Sequence, residues 1–557
     1  MTRNEILEHR GALLLATSLV AVVLALAIYW PSLHGPFVSD DALFIVLNPW
    51  TSTLSLESVA EMFRPFGEAR TASNYAPLHL LASAVERRMF GDEMFGYHVV
   101  NIFIHALNAT LLIALLLSSR LPRVLAIFGG LIFLVHPANV EAVAWISQLK
   151  TNASLALALG AVLAFRRNPG VATALFLAGL LTKASAAAAL PMAAALAWSE
   201  AGQDEASGQE DWGRAPWRWL AIWLLLLVVF AVPHFGAIHP RGTIEVPAYV
   251  DLCVHLRTIA SIGTHYLVMA YTGLGVAYGQ EYPPVMSAVD PGWIAALPLA
   301  GFFLWRIAVS LRGKSQEAVY WIGAAAGFAP ISQMLPFLHP TADRYLYFIL
   351  PGLIGGSLLL LNRVWKARLD AMDLGHAARS RGFRYAAIAV GLAVVALFGA
   401  RSWERAHLWS DRELLMSDSA RQFPEGRTAV FLRARQAAST GDAATSVALL
   451  RRAIELGGDQ LQFDPAFRPI ANDPVFRVLS RELASQHIVR MASFGRLMQR
   501  ELSTLAAAHF DRGEFRQAER ALEEAIRRGG IMRQQLEADL DWVRRTRARI
   551  KGGSAIF

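Results

Sequence analysis

Phe37-Val38-Ser39-Asp40-Asp41 sets two carboxylates side by side directly after a long apolar run. Adjacent carboxylates at a membrane edge are expensive unless they are solvated, paired or bound to a cation. One could accept a proton from a substrate hydroxyl while the other binds a divalent metal or orients the acceptor. The alternative is a solvated helix start, with Ser39 or Asp40 as the cap. In HPANVEAVAWISQLK, residues 136–150, a carboxylate, an imidazole and an ammonium (Glu141, His136, Lys150) share one membrane depth with Trp145, a set suited to an anionic headgroup. Trp145 is equally what any membrane interface shows. Lys183 stands alone between apolar runs in LLTKASAA, placed either to bind phosphate or to snorkel to the surface. Asp343-Arg344 in HPTADRYLY offers a guanidinium fork for phosphate, or a local ion pair at a helix end. His98, Asn101, His105 and Asn108 recur at helical spacing in a lipid-length segment, so that stripe must face protein or a cavity. It reads as interhelical packing and not as a set of metal ligands.

The elements that must position these groups are membrane helices. Of 557 residues 54% are hydrophobic and 17% charged, and mean hydropathy is +0.36, against roughly 25% charged residues in soluble domains. Charge concentrates at the end: residues 401–557 hold 26 of the 52 Lys+Arg and 20 of the 44 Asp+Glu. The sequence therefore predicts an all-α chain, with a polytopic membrane helix bundle over 1–400 and a soluble helical-repeat domain over 401–557. Twelve apolar stretches stand out, at 11–39, 94–119, 124–140, 151–165, 168–182, 184–199, 219–240, 258–280, 291–305, 318–342, 345–362 and 385–400. Arg120/Arg123, Arg166/Arg167, Arg312/Lys314 and the basic run 363–384 favour the cytoplasm, whereas segment 31–94 has eight acidic and four basic residues. That alternation puts the N-terminus inside and the tail outside, which needs an odd number of crossings. About eleven follow, with glycine-rich 258–280 re-entrant or interfacial.

In the tail, residues 426–458 and 498–530 are two copies of one helical hairpin. Gly441-Asp442 matches Gly513-Glu514, Ala453-Ile454 matches Ala525-Ile526 and Gly457-Gly458 matches Gly529-Gly530, an offset of 72 residues. A tetratricopeptide unit is about 34 residues, so the offset is about two units. Residues 463–477 read as the degenerate end of such an array. The net charge of +8 is spread out, which argues against nucleic-acid binding, and the single cysteine, Cys253, excludes an internal disulfide and a multi-thiolate zinc site. Phosphate-loop, HExxH and GxSxG patterns are missing from the sequence.

Taken in order, GPFVSDDALFIVLNP, YAPLHLLASAVERRMFGDEMFGYHVVNIFIHALNA, HPANVEAVAWISQLK, LLTKASAAAALP, ADRYLYFILPG and the Trp403–Trp409 junction resemble the transmembrane and tetratricopeptide-repeat protein O-mannosyltransferases, of the GT-C class. The resemblance implies a polyprenyl-phosphate-dependent transferase of the inner (cytoplasmic) membrane, its site on the outer face and its repeats periplasmic. It implies that Asp40 and Asp41 serve as catalytic base and as acceptor or metal contact, holding any divalent cation (Mg or Mn). It implies that Lys183, Arg344 and Lys150 bind the donor phosphate, with His136, Glu141, Asp343, Tyr345 and His79 in support. Partners would be a polyprenyl-phosphate-linked sugar, a protein or glycan acceptor guided by the repeats, and membrane lipids, with no nucleic acid. Ala76 stands where the family pattern has Arg, Ala184 where it has Glu, and Asp343 where it has Glu. The two alanines motivate an alternative, a catalytically degenerate, membrane-anchored repeat scaffold that binds protein partners. A lipid or solute transporter is disfavoured, because a transport path wants polar groups at mid-membrane.

Overall fold

The computed structural model describes residues 3–46, 48–52, 54–67, 69, 74–207, 215–238, 251–334, 341–371, 381–457, 464–492, 497, 499–528 and 533–551. These residues form helices and turns and no strand. Helix α1 (Arg3–Tyr29) leads through the paired-aspartate segment and two short helices to α2 (Pro77–Phe90) and α3 (Met94–Ser118). Next come α4 (Arg123–Leu134), the five-residue α5 (Val140–Ala144), α6 (Leu149–Ala164), α7 (Pro169–Thr182) and α8 (Ala189–Ser207). The body continues with α9 (Ala215–Ile238), α10 (Leu252–Thr272), α11 (Pro291–Arg312) and α12 (Glu317–Phe328), and closes with α13 (Leu346–Ala371) and α14 (Arg381–Leu408).

Among the described residues five helices are long and apolar enough to cross a membrane: Gly11–Ser32, Met94–Ser118, Pro216–Ala237, Pro291–Arg312 and Asp343–Arg368. A sixth arises if α4 and Pro137–Ala144, bent by 49°, are one broken span. The chain is a polytopic membrane protein. The expected eleven crossings counted apolar stretches, and several of those fold as shorter helices, 16 residues in α6, 14 in α7 and 12 in α12. Stretch 258–280 stops being helical at Thr272, where Gly273 adopts φ +65°, and 335–340 of stretch 318–342 lie outside the described residues.

The break between α4 and α5 has a local cause. Pro137 bars its predecessor from helical geometry, and His136 sits at φ −74°, ψ 127°. A broken helix leaves carbonyls that lipid cannot satisfy. The polar stripe of α3 supplies their partners, as its spacing predicts. The His105 ring bonds the Leu134 carbonyl at 2.9 Å and Tyr347 Oη at 2.8 Å. Asn101 Nδ2 donates to the carbonyls of Trp145 (3.1 Å) and Ile146 (3.2 Å). Asn108 Nδ2 donates to the Asn152 carbonyl and to Tyr347, and His98 reaches the Gly35 carbonyl at 3.1 Å.

The tail comprises α15 (Arg412–Gln422), α16 (Arg427–Ser439), α17 (Ala443–Glu455), α18 (Pro474–Ala492), α19 (Gln499–Asp511), α20 (Phe515–Arg527) and α21 (Arg533–Lys551). The two hairpins expected from the 72-residue offset are α16–α17 and α19–α20, each of two 13-residue helices. Gly441 and Gly513 turn them at φ +79° and +76°, where a side chain would be strained. Ala434, Leu450 and Ala453 are buried in the first hairpin and Ala506, Leu522 and Ala525 in the second, the same positions 72 residues on. Gly458, Gly529, Gly530 and Phe463 lie outside the described residues.

Replacing Asn101 by leucine should leave two buried carbonyls without their side-chain donor. The expected loss is about 1–3 kcal/mol, read as a lowered midpoint of thermal unfolding in detergent, and an unchanged midpoint would refute the role given to the stripe.

Candidate functional site

The charged residues gather where helices begin or end at one end of the bundle. Asp40 and Asp41 follow α1, Lys150 opens α6, Lys183 ends α7 and Arg344 precedes α13. The 16 residues of α6, about 24 Å of rise, separate Lys150 from Arg166 and Arg167, so that basic loop lies at the opposite end.

Asp41 is fully buried. Its Oδ2 accepts the Val38 N–H at 2.9 Å and its Oδ1 the Ser147 N–H at 2.7 Å. Trp145 Nε1 donates to the Val38 carbonyl at 3.2 Å. The aspartate segment is thereby stitched to residues 145–147, themselves held by Asn101. Burial pushes the Asp41 carboxyl up to about 7, against the two backbone bonds that favour its charge. Ser39, just before the pair, has φ +47°, a strained value for a side-chain-bearing residue. Asp40 differs from its neighbour. Its side chain is 39% exposed and its Oδ2 lies 3.7 Å from Lys150 Nζ. A solvated helix start does not describe this pair, because one aspartate is an internal tie and only the other is open.

Lys150 Nζ also sits 4.0 Å from the centroid of the Phe44 ring, and that ring packs at 4.8 Å on His79. Lys183 Nζ donates to Thr151 Oγ1 at 2.7 Å, and Thr151 donates to Gln148 Oε1 at 2.6 Å. Burial, with the charges of Lys150 and Arg344, pushes the Lys183 ammonium well down from its ordinary value, opposed by Glu141 and Asp40. Burial next to the two lysines likewise pushes the His79 imidazole down.

Arg344 Nη1 meets Glu141 Oε1 at 2.5 Å, and the Arg344 backbone N–H donates to Glu141 Oε2 at 2.8 Å. Its guanidinium lies 5.1 Å from the ring centroids of Trp145 and of Tyr345. One carboxylate thus fixes both main chain and side chain of the arginine. Two expected residues stand apart from this cluster. His136 spends its ring on the Ala270 carbonyl (3.0 Å) and the Ala138 N–H, an anchor of the helix break. Asp343 turns away from the pocket cations and accepts the Ala277 N–H at 3.2 Å and Gln280 Nε2 at 2.5 Å.

Sequence reading missed Gln148 and Thr151, which orient Lys183, and Tyr278 and Gln280, which pack on Trp409 and Asp343 from residues 273–281. Thr151 and Gln148 could have been found: they flank Lys150 in the same motif. Nothing in the sequence ties Gln280 to Asp343. As for a resident metal, no group of three His, Cys, Asp or Glu side chains converges among the described residues. Both Asp41 oxygens accept backbone N–H groups inside the protein, so of the pair only Asp40 offers an exposed carboxylate to a divalent cation.

Glutamine at 141 should release Arg344 and leave a buried guanidinium without its carboxylate. About 3–5 kcal/mol of stability is expected to be lost, with part regained in Glu141→Gln, Arg344→Gln; equal unfolding midpoints for the single variant and the parent protein would contradict this.

No protein-family model matches the chain, and no solved structure matches it. Curated proteins do match. The chain is 31% identical over 152 residues to protein O-mannosyl-transferase Tmtc1 of Drosophila melanogaster, covering 26% of this chain and 17% of that protein. It is 28% identical over 158 residues to protein O-mannosyl-transferase TMTC3 of Homo sapiens (28% and 17%) and 33% identical over 147 residues to TMTC1 of Mus musculus (25% and 16%). The matched part spans about a sixth of the length of these curated relatives. With the repeated agreement across animals, the chain is a distant relative of the protein O-mannosyl-transferases.

Proposed function

We propose that this protein is a glycosyltransferase that moves a sugar from a polyprenyl phosphate to a hydroxyl of an extracytoplasmic protein or glycan. The observation that carries the reading is a cluster in which Lys150 stands 3.7 Å from the open carboxylate of Asp40 while Lys183 and Arg344 lie within electrostatic reach of it, although the four come from stretches far apart in the chain. Cations brought together at the cost of desolvation and mutual repulsion favour an anionic ligand. The names of the relatives support transfer of a sugar.

In this reading the acceptor oxygen attacks the anomeric carbon from the face opposite the lipid phosphate. The bond between that carbon and the phosphate oxygen breaks, its electron pair staying on the phosphate, so the sugar inverts. Lys183 and Lys150 offset the charge gathering on the leaving phosphate, and Arg344 adds its fork. Asp40 takes the acceptor proton as the new bond forms. Asp41 does not touch substrate; it fixes the segment that presents Asp40. The pocket end of the bundle faces outward, opposite the basic loop of Arg166 and Arg167, and the lipid tail lies in the bilayer beside it.

The test is transfer by the purified full-length protein in lipid nanodiscs, supplied with a polyprenyl-phosphate-linked mannose and a mixed peptide acceptor. Asp40→Asn should lower kcat by about 10²–10⁴-fold and leave binding of sugar-free polyprenyl phosphate intact. Lys183→Met should weaken that binding. An unmodified protein that transfers no sugar and binds no polyprenyl phosphate would return the chain to the scaffold alternative.

A further inference from the structure

Residues 276–281 form a strap held from both sides. On the bundle side, Asp343 accepts from the Ala277 N–H and from Gln280 Nε2, directly beside Arg344. The Gln280 amide is buried and fully used: Oε1 meets His265 Nε2 at 2.9 Å and Nε2 also reaches the Gly275 carbonyl at 3.0 Å. Tyr266 locks the next residue back, its hydroxyl donating to the Ala342 carbonyl at 3.2 Å and accepting the Ala342 N–H at 3.1 Å. Backbone around Arg344 is therefore set by the strap and α10 together.

On the tail side, the strap touches the first repeat hairpin and the helix before it. Glu281 accepts the backbone N–H groups of Arg427 and Thr428, the latter at 3.0 Å, and the Thr428 hydroxyl at 2.9 Å. A carboxylate at the first turn of α16 satisfies donors that the helix cannot satisfy itself and complements its dipole. It does so from a separate segment, where a cap is ordinarily local. Gln422 Nε2 donates to the Val276 carbonyl at 2.9 Å. Between the two attachments, the Tyr278 ring packs edge-on against Trp409 at 5.5 Å, and Trp409 lies 6.0 Å from Trp145, the ring beneath Arg344.

We propose that Gln280 and Glu281 are positioning residues of the transfer reaction, coupling the docked repeat hairpin to the Arg344 side of the pocket. The inference rests on the glycosyltransferase reading for its chemical consequence but not for its structural one. Undocking the hairpin frees the strap, and the strap is one of the supports of the Asp343–Arg344 turn. The tail then serves as part of the pocket wall as well as a surface for the acceptor.

Two measurements on the full-length protein in nanodiscs separate the possibilities. In hydrogen exchange, Glu281→Ala should speed exchange at 427–430, at 276–281 and also at 341–346, which Glu281 does not touch. In transfer from polyprenyl-phosphate-linked mannose, Glu281→Ala and Gln280→Ala should each lower kcat/KM about three- to tenfold, the worth of one hydrogen bond. Glu281→Gln, which keeps one acceptor oxygen but sets an amide NH2 against the other backbone N–H, should lower kcat/KM less than Glu281→Ala does. Faster exchange confined to 427–430 overturns the coupling, whatever the activity. Faster exchange at all three segments with unaltered transfer kinetics overturns the positioning role. Failure of the unmodified protein to transfer sugar overturns the catalytic reading, while coupled exchange would still establish the mechanical link.

Discussion

Buried backbone polarity is the constraint on which this structure turns. Helices that stop inside a bundle expose carbonyls with no water to take them, and each costs several kcal/mol if left unmade. Here the ends at Leu134, Trp145 and Ile146 are met by His105 and Asn101, and the Gly35 carbonyl after α1 by His98. One intact 25-residue helix thus carries the hydrogen-bonding capacity that several broken ones lack. Once residues 145–147 are fixed in this way, the Ser147 N–H and the Trp145 indole are available to hold the aspartate segment. The placement of Asp40 is downstream of an arrangement made by asparagine and histidine within α3.

The charges follow a second rule, that buried ions persist when paired and hydrogen-bonded. Arg344 and Glu141 meet it in full. Lys183 meets it less well, since its ammonium has the neutral Thr151 as its hydrogen-bond partner here and repulsive neighbours in Lys150 and Arg344. The cluster around Glu317 offers a contrast. There Arg306 and Arg363 both engage the buried Glu317, whose Oε1 also accepts from Trp321 Nε1 at 2.7 Å. That cluster spends its one carboxylate on two cations and presents no open acid to a substrate.

Much of this was legible in the sequence, and unevenly so. The α3 stripe could be read because its 3- and 4-residue spacing is a property of one helix, and polarity there admits few explanations. The tail hairpins could be read because glycine at 441 and 513 and alanine at 453 and 525 repeat a geometric requirement. The motifs around Asp40, Lys150, Lys183 and Arg344 each combine a charge with an apolar flank, and the fold gathers these four into one charged cluster. Span number was poorly legible: apolarity marks burial in lipid and burial in protein alike, and α6, α7 and α12 are short helices with much of their surface inside the bundle. The unequal roles of Asp40 and Asp41 could not be read at all, because exposure depends on where Val38 and Ser147 place their amides.

That inequality is the most informative feature of the site. Two adjacent aspartates with the same environment would repel, and one would lose its charge. The fold resolves the conflict by giving them different surroundings. Asp41, enclosed and tied to two amides, has its carboxyl pushed up to about 7. Asp40 keeps water on one side and an ammonium 3.7 Å away on the other. A carboxylate so placed has Lys150 beside it and one side open to a hydroxyl, whereas its neighbour is enclosed and turns no face to a ligand. The strained backbone at Ser39 fits the same logic, since a relaxed turn would point the two side chains differently. The sequence pair Asp-Asp is therefore one open carboxylate and one tie, and the tie is what lets the other stand free.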